Sequence, residues 1–136
     1  MAFVARAFSP SVGVTPYSDL ESVEFRDGAL VVVIACTVNG DRTVRTVNGL
    51  RVTFTQVAGF RVLDELDLAR YVASGGFPFG SHVLEVCDGG WSAEENALQM
   101  FDMNRREWLV VTGNWCVSVF SGTPPEIVDA TWKFVE

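Results

Sequence analysis

From Ser22 onward apolar and polar positions alternate in short runs separated by turn residues. Val23 and Phe25 stand between charged neighbours, and Asp27-Gly28 supplies a two-residue hairpin turn in which glycine tolerates positive φ. The stretch Ala29 to Val38 is almost continuously apolar and β-branched, which predicts a central strand buried on both faces. Asn39-Gly40-Asp41 reads as the next turn and Asn48-Gly49 as a further one, with Arg42 to Val47 between them a polar edge strand. Leu50, Val52 and Phe54 face one way and Arg51, Thr53 and Thr55 the other, the cleanest two-residue period in the chain. The alternation slips at Gln56, which predicts a bulge there.

A helix is predicted from Asp64 to about Val72. Asp64 is a capping residue, Glu65 and Asp67 suit the positive end of the helix dipole, and Leu63 and Leu68 have the spacing of a hydrophobic staple. Ser74-Gly75-Gly76 ends it, and an aromatic loop, Phe77-Pro78-Phe79-Gly80, follows. Val83 to Cys87 reads as a strand closed by Asp88-Gly89-Gly90. Between Ser92 and Met103 two readings compete. Ser92 and Glu95 match a capping box, and Ala97, Met100 and Phe101 fit one helical face, whereas Leu98 and Met100 fit one face of a strand. The helix, or an irregular crossing, is preferred. Trp108 to Val111 and Trp115 to Phe120 form strands around the Thr112-Gly113-Asn114 turn, and Thr131 to Val135 returns as a last strand. The sum is an α+β fold, mainly antiparallel sheet with one or two short helices. A single domain over residues 1–136 is expected, with residues 1–21, broken by Pro10, Gly13 and Pro16, as a loosely docked arm.

Composition narrows the class. Nearly half the residues are apolar, with ten Phe and four Trp, which is too hydrophobic for a disordered chain. No apolar run approaches the roughly 18 residues that a membrane helix needs. Cys36, Cys87 and Cys116 are odd in number and far apart, unlike a secreted disulfide framework. They read as reduced core thiols, and the expected location is the cytoplasm. Ten basic groups, nine Arg and the single Lys133, face seventeen acids, for a net charge of −7. That balance disfavours nucleic acid and favours a basic partner.

The candidate chemistry is thin. The single histidine, His82, restricts any nucleophile–histidine pair, and no nucleophile motif surrounds it, so a structural role is expected. No cysteines have zinc-ligand spacing and no acids match a calcium loop, so neither a metal nor a cofactor is expected. The Gly-rich turns match no phosphate-binding pattern. Most aromatic residues are expected in the core, but Trp91, Trp108 and Trp115 beside acids and Asn114 also suit an interface patch.

Three segments resemble a known family. They are Gly59-Phe60-Arg61-Val62-Leu63-Asp64-Glu65 with Asp67-Leu68, then Gly89-Gly90-Trp91 with Glu94 or Glu95, then Trp108-Leu109-Val110-Val111 with Asn114 and Cys116-Val117-Ser118-Val119. Together, over residues 50–120, they are similar to small bacterial proteins that resemble the immunity proteins of polymorphic toxin systems, including contact-dependent growth inhibition. The resemblance implies a cytoplasmic, non-enzymatic protein that binds and neutralises a cognate protein toxin, and it carries over no catalytic residue. An acidic surface would speed association with a basic toxin. The candidate contact residues are Asp64, Glu65, Asp67, Trp91, Glu94 and Glu95, which combine charge with turn or helix-start positions. Arg61 is expected to pair structurally with Asp64 and Glu65. Two rival readings stand beside this one. A small-molecule-binding domain or enzyme would show a pocket with at least two acids and His82, and an oligomeric structural protein would show a strand edge in a symmetric contact.

Overall fold

The computed structural model describes residues 3–8, 18–41, 43–73, 75, 77–78 and 80–135. Asp27 and Gly28, both left-handed at φ 53° and 79°, fold β2 (Asp19–Arg26) back on β3 (Ala29–Gly40) as the turn chemistry predicts. β4 (Val44–Phe54) pairs with the far side of β3, and β9 (Glu126–Val135) pairs with β4, so one sheet has the order β2-β3-β4-β9. At Thr55-Gln56 the chain leaves this sheet. The second sheet has the order β1 (Val4–Ala7), β6 (Val83–Asp88), β7 (Glu107–Val111), β8 (Trp115–Ser121) and β5 (Val57–Asp64). All strand pairs are antiparallel.

The sheets pack face to face. Leu30, Val32, Ile34, Leu50, Val52 and Phe54 of the first meet Val83, Trp108, Val110, Val117 and Val119 of the second. Trp108 is fully buried, and its indole N–H donates to the Ser121 carbonyl at 3.0 Å, so its one polar atom is satisfied. The other face of the second sheet carries both helices. Under α1 (Glu65–Val72), Leu68 and Tyr71 pack with Phe3, Leu84, Leu109, Val111 and Cys116. α2 (Trp91–Gln99) sits on the same face with the Trp91 ring stacked on Phe120, centroids 4.0 Å apart. The architecture is therefore α+β, dominated by two antiparallel sheets with two short helices.

Several local expectations are corrected. β3 is buried on one face only: Leu30, Val32 and Ile34 are covered, while Val31, Val33 and Ala35 are half-open. Asn48-Gly49 is not a turn but the middle of β4, opposite the irregularity between Ala35 and Thr37 in β3. A Cβ on Gly49 would lie 1.8 Å from the Ile34 carbonyl oxygen, so this glycine reports a close backbone approach. Residues 44–47 are consequently flanked by strands on both sides and form no edge, while Arg42 lies outside the described residues. Gln56, at φ 53°, belongs to the crossing between sheets, and the bulge falls between Val57 and Gly59. Part of the expected N-terminal arm is integral: β1 pairs with β6 and Phe3 is 2 % exposed. Residues 9–17 lie outside the described residues. Of the three expected core thiols, Cys116 is buried, Cys36 half-buried and Cys87 exposed.

Candidate functional site

α1 starts as its residues dictate. The Asp64 carboxylate accepts from the Leu66 and Asp67 N–H groups at 3.0 and 3.1 Å. Leu63 and Leu68 both pack in the cluster beneath the helix, as a staple requires. Glu65 and Leu66 are exposed beyond them. Asp67 pairs with Arg70 at 3.0 Å, and Arg70 reaches across to Glu94 of α2 at 3.3 Å. The two sequence-remote acid groups, Asp64-Glu65-Asp67 and Glu94-Glu95, are thus joined through one arginine.

Arg61 rises from β5 between the helices. It donates to the Tyr71 hydroxyl and to Glu94, the latter at 2.7 Å, and its guanidinium lies 5.0 Å from the centre of the Trp91 ring. Its acidic partner is Glu94, and not the Asp64-Glu65 pair expected from sequence proximity. Trp91 contacts this cation and stacks on Phe120, with its indole N–H on Glu95 at 3.0 Å. Burial pushes the Tyr71 hydroxyl up to about 12. The Arg61 Nε and the Ser118 hydroxyl, cross-strand neighbours, are buried with no hydrogen-bond partner among the described residues.

The start of α2 departs from the expected capping box. Its N-cap is Gly90, which has no side chain to cap with, and Glu95 is engaged by the Trp91 indole instead. The cap is supplied by Glu107 of β7, whose two carboxylate oxygens accept from the Trp91 and Ser92 N–H groups at 2.9 and 2.8 Å. A Cβ on Gly90 would lie 2.4 Å from Glu107 Oε2, so only glycine admits the carboxylate. Glu107 is 3 % exposed. Burial raises its pKa, opposed by the two N–H donors and the Arg61 charge.

The other end of α2 is open. Leu98, Met100, Phe101 and Met103 are 78, 91, 56 and 46 % exposed, and Ala97, Met100 and Phe101, grouped on one helical face by the sequence, all lie open to solvent. Met100 ends the helix in the left-handed region at φ 60°. Asn96 fixes the return of the chain, donating to the Met103 carbonyl at 3.3 Å and accepting from its N–H at 3.0 Å. Asp88 and Asp102 lie beside this apolar tip, across a shallow groove that Ala93, Ala97, Met100 and Phe101 also line. A second cleft of about 180 Å³ runs between the end of β6 and α2, with Asp88, Ser92, Asn96 and Glu107 among its walls.

His82 is remote from these acids. It is 1 % exposed, with Nδ1 2.7 Å from the Val111 carbonyl and Nε2 3.8 Å from Cys36 Sγ, and burial holds its pKa below the usual histidine value. Among the described residues no three His, Cys, Asp or Glu side chains converge as a metal site requires. No described helix is long and apolar enough to cross a membrane. Compared with protein-family models, curated proteins and solved structures, the chain has no match.

Sequence reasoning missed Glu107, Arg70 and the apolar tip. Glu107 reads there as one acid among seventeen. The tip had a faint signal, four large apolar side chains crowded after a polar helix start, which a two-turn helix has little room to bury.

Proposed function

We propose that this chain is a non-enzymatic binding protein, acting as a bacterial immunity protein that neutralises a cognate, basic protein toxin. The observation that carries the reading is the exposed tip formed by Leu98, Met100, Phe101 and Met103 beside Asp88 and Asp102. Clustered exposed methionine and phenylalanine side chains are typical of contact surfaces, because flexible thioethers and rigid rings gain most from leaving water. Leu98 stands one helical turn beyond Glu94 and Glu95, and Arg70 links that helix to Asp67. The acids border an apolar centre, the usual division between rim and core of an interface. A net charge of −7 steers a basic partner toward it. Trp91, stacked on Phe120 at the start of α2, anchors the helix that carries the tip. Asp64 likewise serves α1 first, whereas Glu65 points to solvent. The three cysteines are free thiols, which suits a cytoplasmic protein.

The rival pocket reading draws no support from the cleft beside α2, where Glu107 already holds two backbone N–H groups. The test is a pull-down with the tagged full chain from its native bacterium, followed by mass spectrometry. The expected result is a stoichiometric basic protein, toxic when produced alone and harmless beside this chain. Met100→Asp with Phe101→Asp should abolish capture and protection while leaving the melting temperature unchanged. Failure to capture any such protein, or protection that survives the double substitution, overturns the reading.

A further inference from the structure

The strongest unexplained feature lies on the other sheet, away from both helices. β9 pairs with β4 over ten residue pairs in unbroken register, from Val44–Val135 to Thr53–Glu126, and forms the outer edge of its sheet. A strand edge of this length offers a row of backbone donors and acceptors, which most proteins blunt with bulges, prolines or charges. Among the described residues β9 has no bulge, and its interior lacks proline. Val128, Phe134 and Val135 are 40, 52 and 67 % exposed. Its two interior charges, Asp129 and Lys133, are exposed and have no ion-pair partner among the described residues.

We propose that β9 joins a second copy of this chain, edge to edge and antiparallel, about a two-fold axis at Thr131. Directly opposed residues of antiparallel strands share a face, so a two-fold axis normal to the sheet must pass midway between the two copies of one residue and pair positions equally spaced about it. Centred on Thr131, Asp129 faces the partner copy's lysine at position 133, and the reverse pair forms at the same time. On the opposite face Val128 meets phenylalanine 134 and Ala130 meets tryptophan 132, while Ile127 meets valine 135 beyond the ion pairs. Neighbouring registers lose this match. An axis at Ala130 sets Asp129 against threonine and Lys133 against isoleucine; one at Trp132 sets Asp129 against valine and Lys133 against threonine. Axes at Asp129 or Lys133 place like charges together. The sole lysine of the chain, which would deter pairing in any other register, is matched in this one. The result is one continuous sheet of eight strands, twice the four of each copy. It leaves α1 and α2 uncovered, so the inference does not rest on the toxin-binding reading.

Sedimentation equilibrium on the purified full chain tests this directly. The wild type should be a dimer with a measurable dissociation constant. Lys133→Glu opposes two carboxylates twice per dimer and should weaken association by roughly tenfold or more. The exchanged variant Asp129→Lys with Lys133→Asp restores the pairs and should recover dimerisation, with melting curves confirming that both variants are folded. In hydrogen exchange, the outward β9 amides should gain protection as concentration rises. A wild type that stays monomeric to its solubility limit overturns the proposal. So does a dimer indifferent to Lys133→Glu.

Discussion

α1 and α2 lie on the same sheet face and are almost equal in length, yet they begin by opposite means. α1 is capped by Asp64, the residue immediately before it, and buries Leu68 and Tyr71. α2 buries none of its residues fully and takes its cap from Glu107, sixteen residues beyond Trp91. One helix is held by local chemistry and packing, the other by a carboxylate delivered from the sheet, a stacked tryptophan and ion pairs. The difference bears on function. A helix fixed at its start and open at its end can present an apolar tip without drawing it into the core.

The hardest test of that contrast is Glu107→Ala. It leaves two backbone donors without partners near the core, and we expect a loss of about 3 kcal/mol in denaturant unfolding. A loss below that of the Asp64 cap would show that α2 is held by its stacking and ion pairs alone.

The same carboxylate gives a pH signature. Burial raises the folded pKa of Glu107 above its ordinary 4.5, so the folded state keeps this proton longer than the unfolded state does. Its contribution is fully present below the unfolded pKa and is lost as pH rises through the raised folded value. The stability of the wild type minus that of Glu107→Gln should therefore fall with rising pH across this window, by up to about 1.4 kcal/mol per pH unit. A flat difference would mean that Glu107 is less buried than its 3 % exposure implies.

Asp64→Ala should cost about 1 kcal/mol, the usual value of a local cap. Hydrogen exchange would show α1 fraying while the α2 amides keep their protection; loss at both helices would dissolve the distinction. The smallest effect is expected for Arg70→Ala. It removes exposed pairs to Asp67 and Glu94, worth at most about 0.5 kcal/mol, and should be erased by salt.

Legibility in the sequence followed the distance between cause and effect along the chain. The Asp27-Gly28 turn, the alternation from Leu50 to Phe54 and the Asp64 cap each depend on residues within a few positions, and each is found where its pattern places it. Gly49 misled because a glycine that permits a turn also permits a close backbone approach, and only the neighbouring Ile34 carbonyl distinguishes them. The Ser92–Glu95 box misled because a better acceptor arrives from β7. Among the candidate contact residues, the sequence marked the acids of both helices but could not show that Arg70 joins them or that Arg61 belongs to Glu94.

By itself, then, the sequence determined the α+β class, the Asp27-Gly28 and Thr112-Gly113-Asn114 turns and the first helix, because periodicity and capping are short-range physics. The assignment of strands to two sheets, the cap of α2, its solvent-facing tip and the open edge at β9 were decided by tertiary structure alone. Each depends on which surfaces remain uncovered once the sheets have closed on their shared core, and that is settled by packing between residues far apart in the chain.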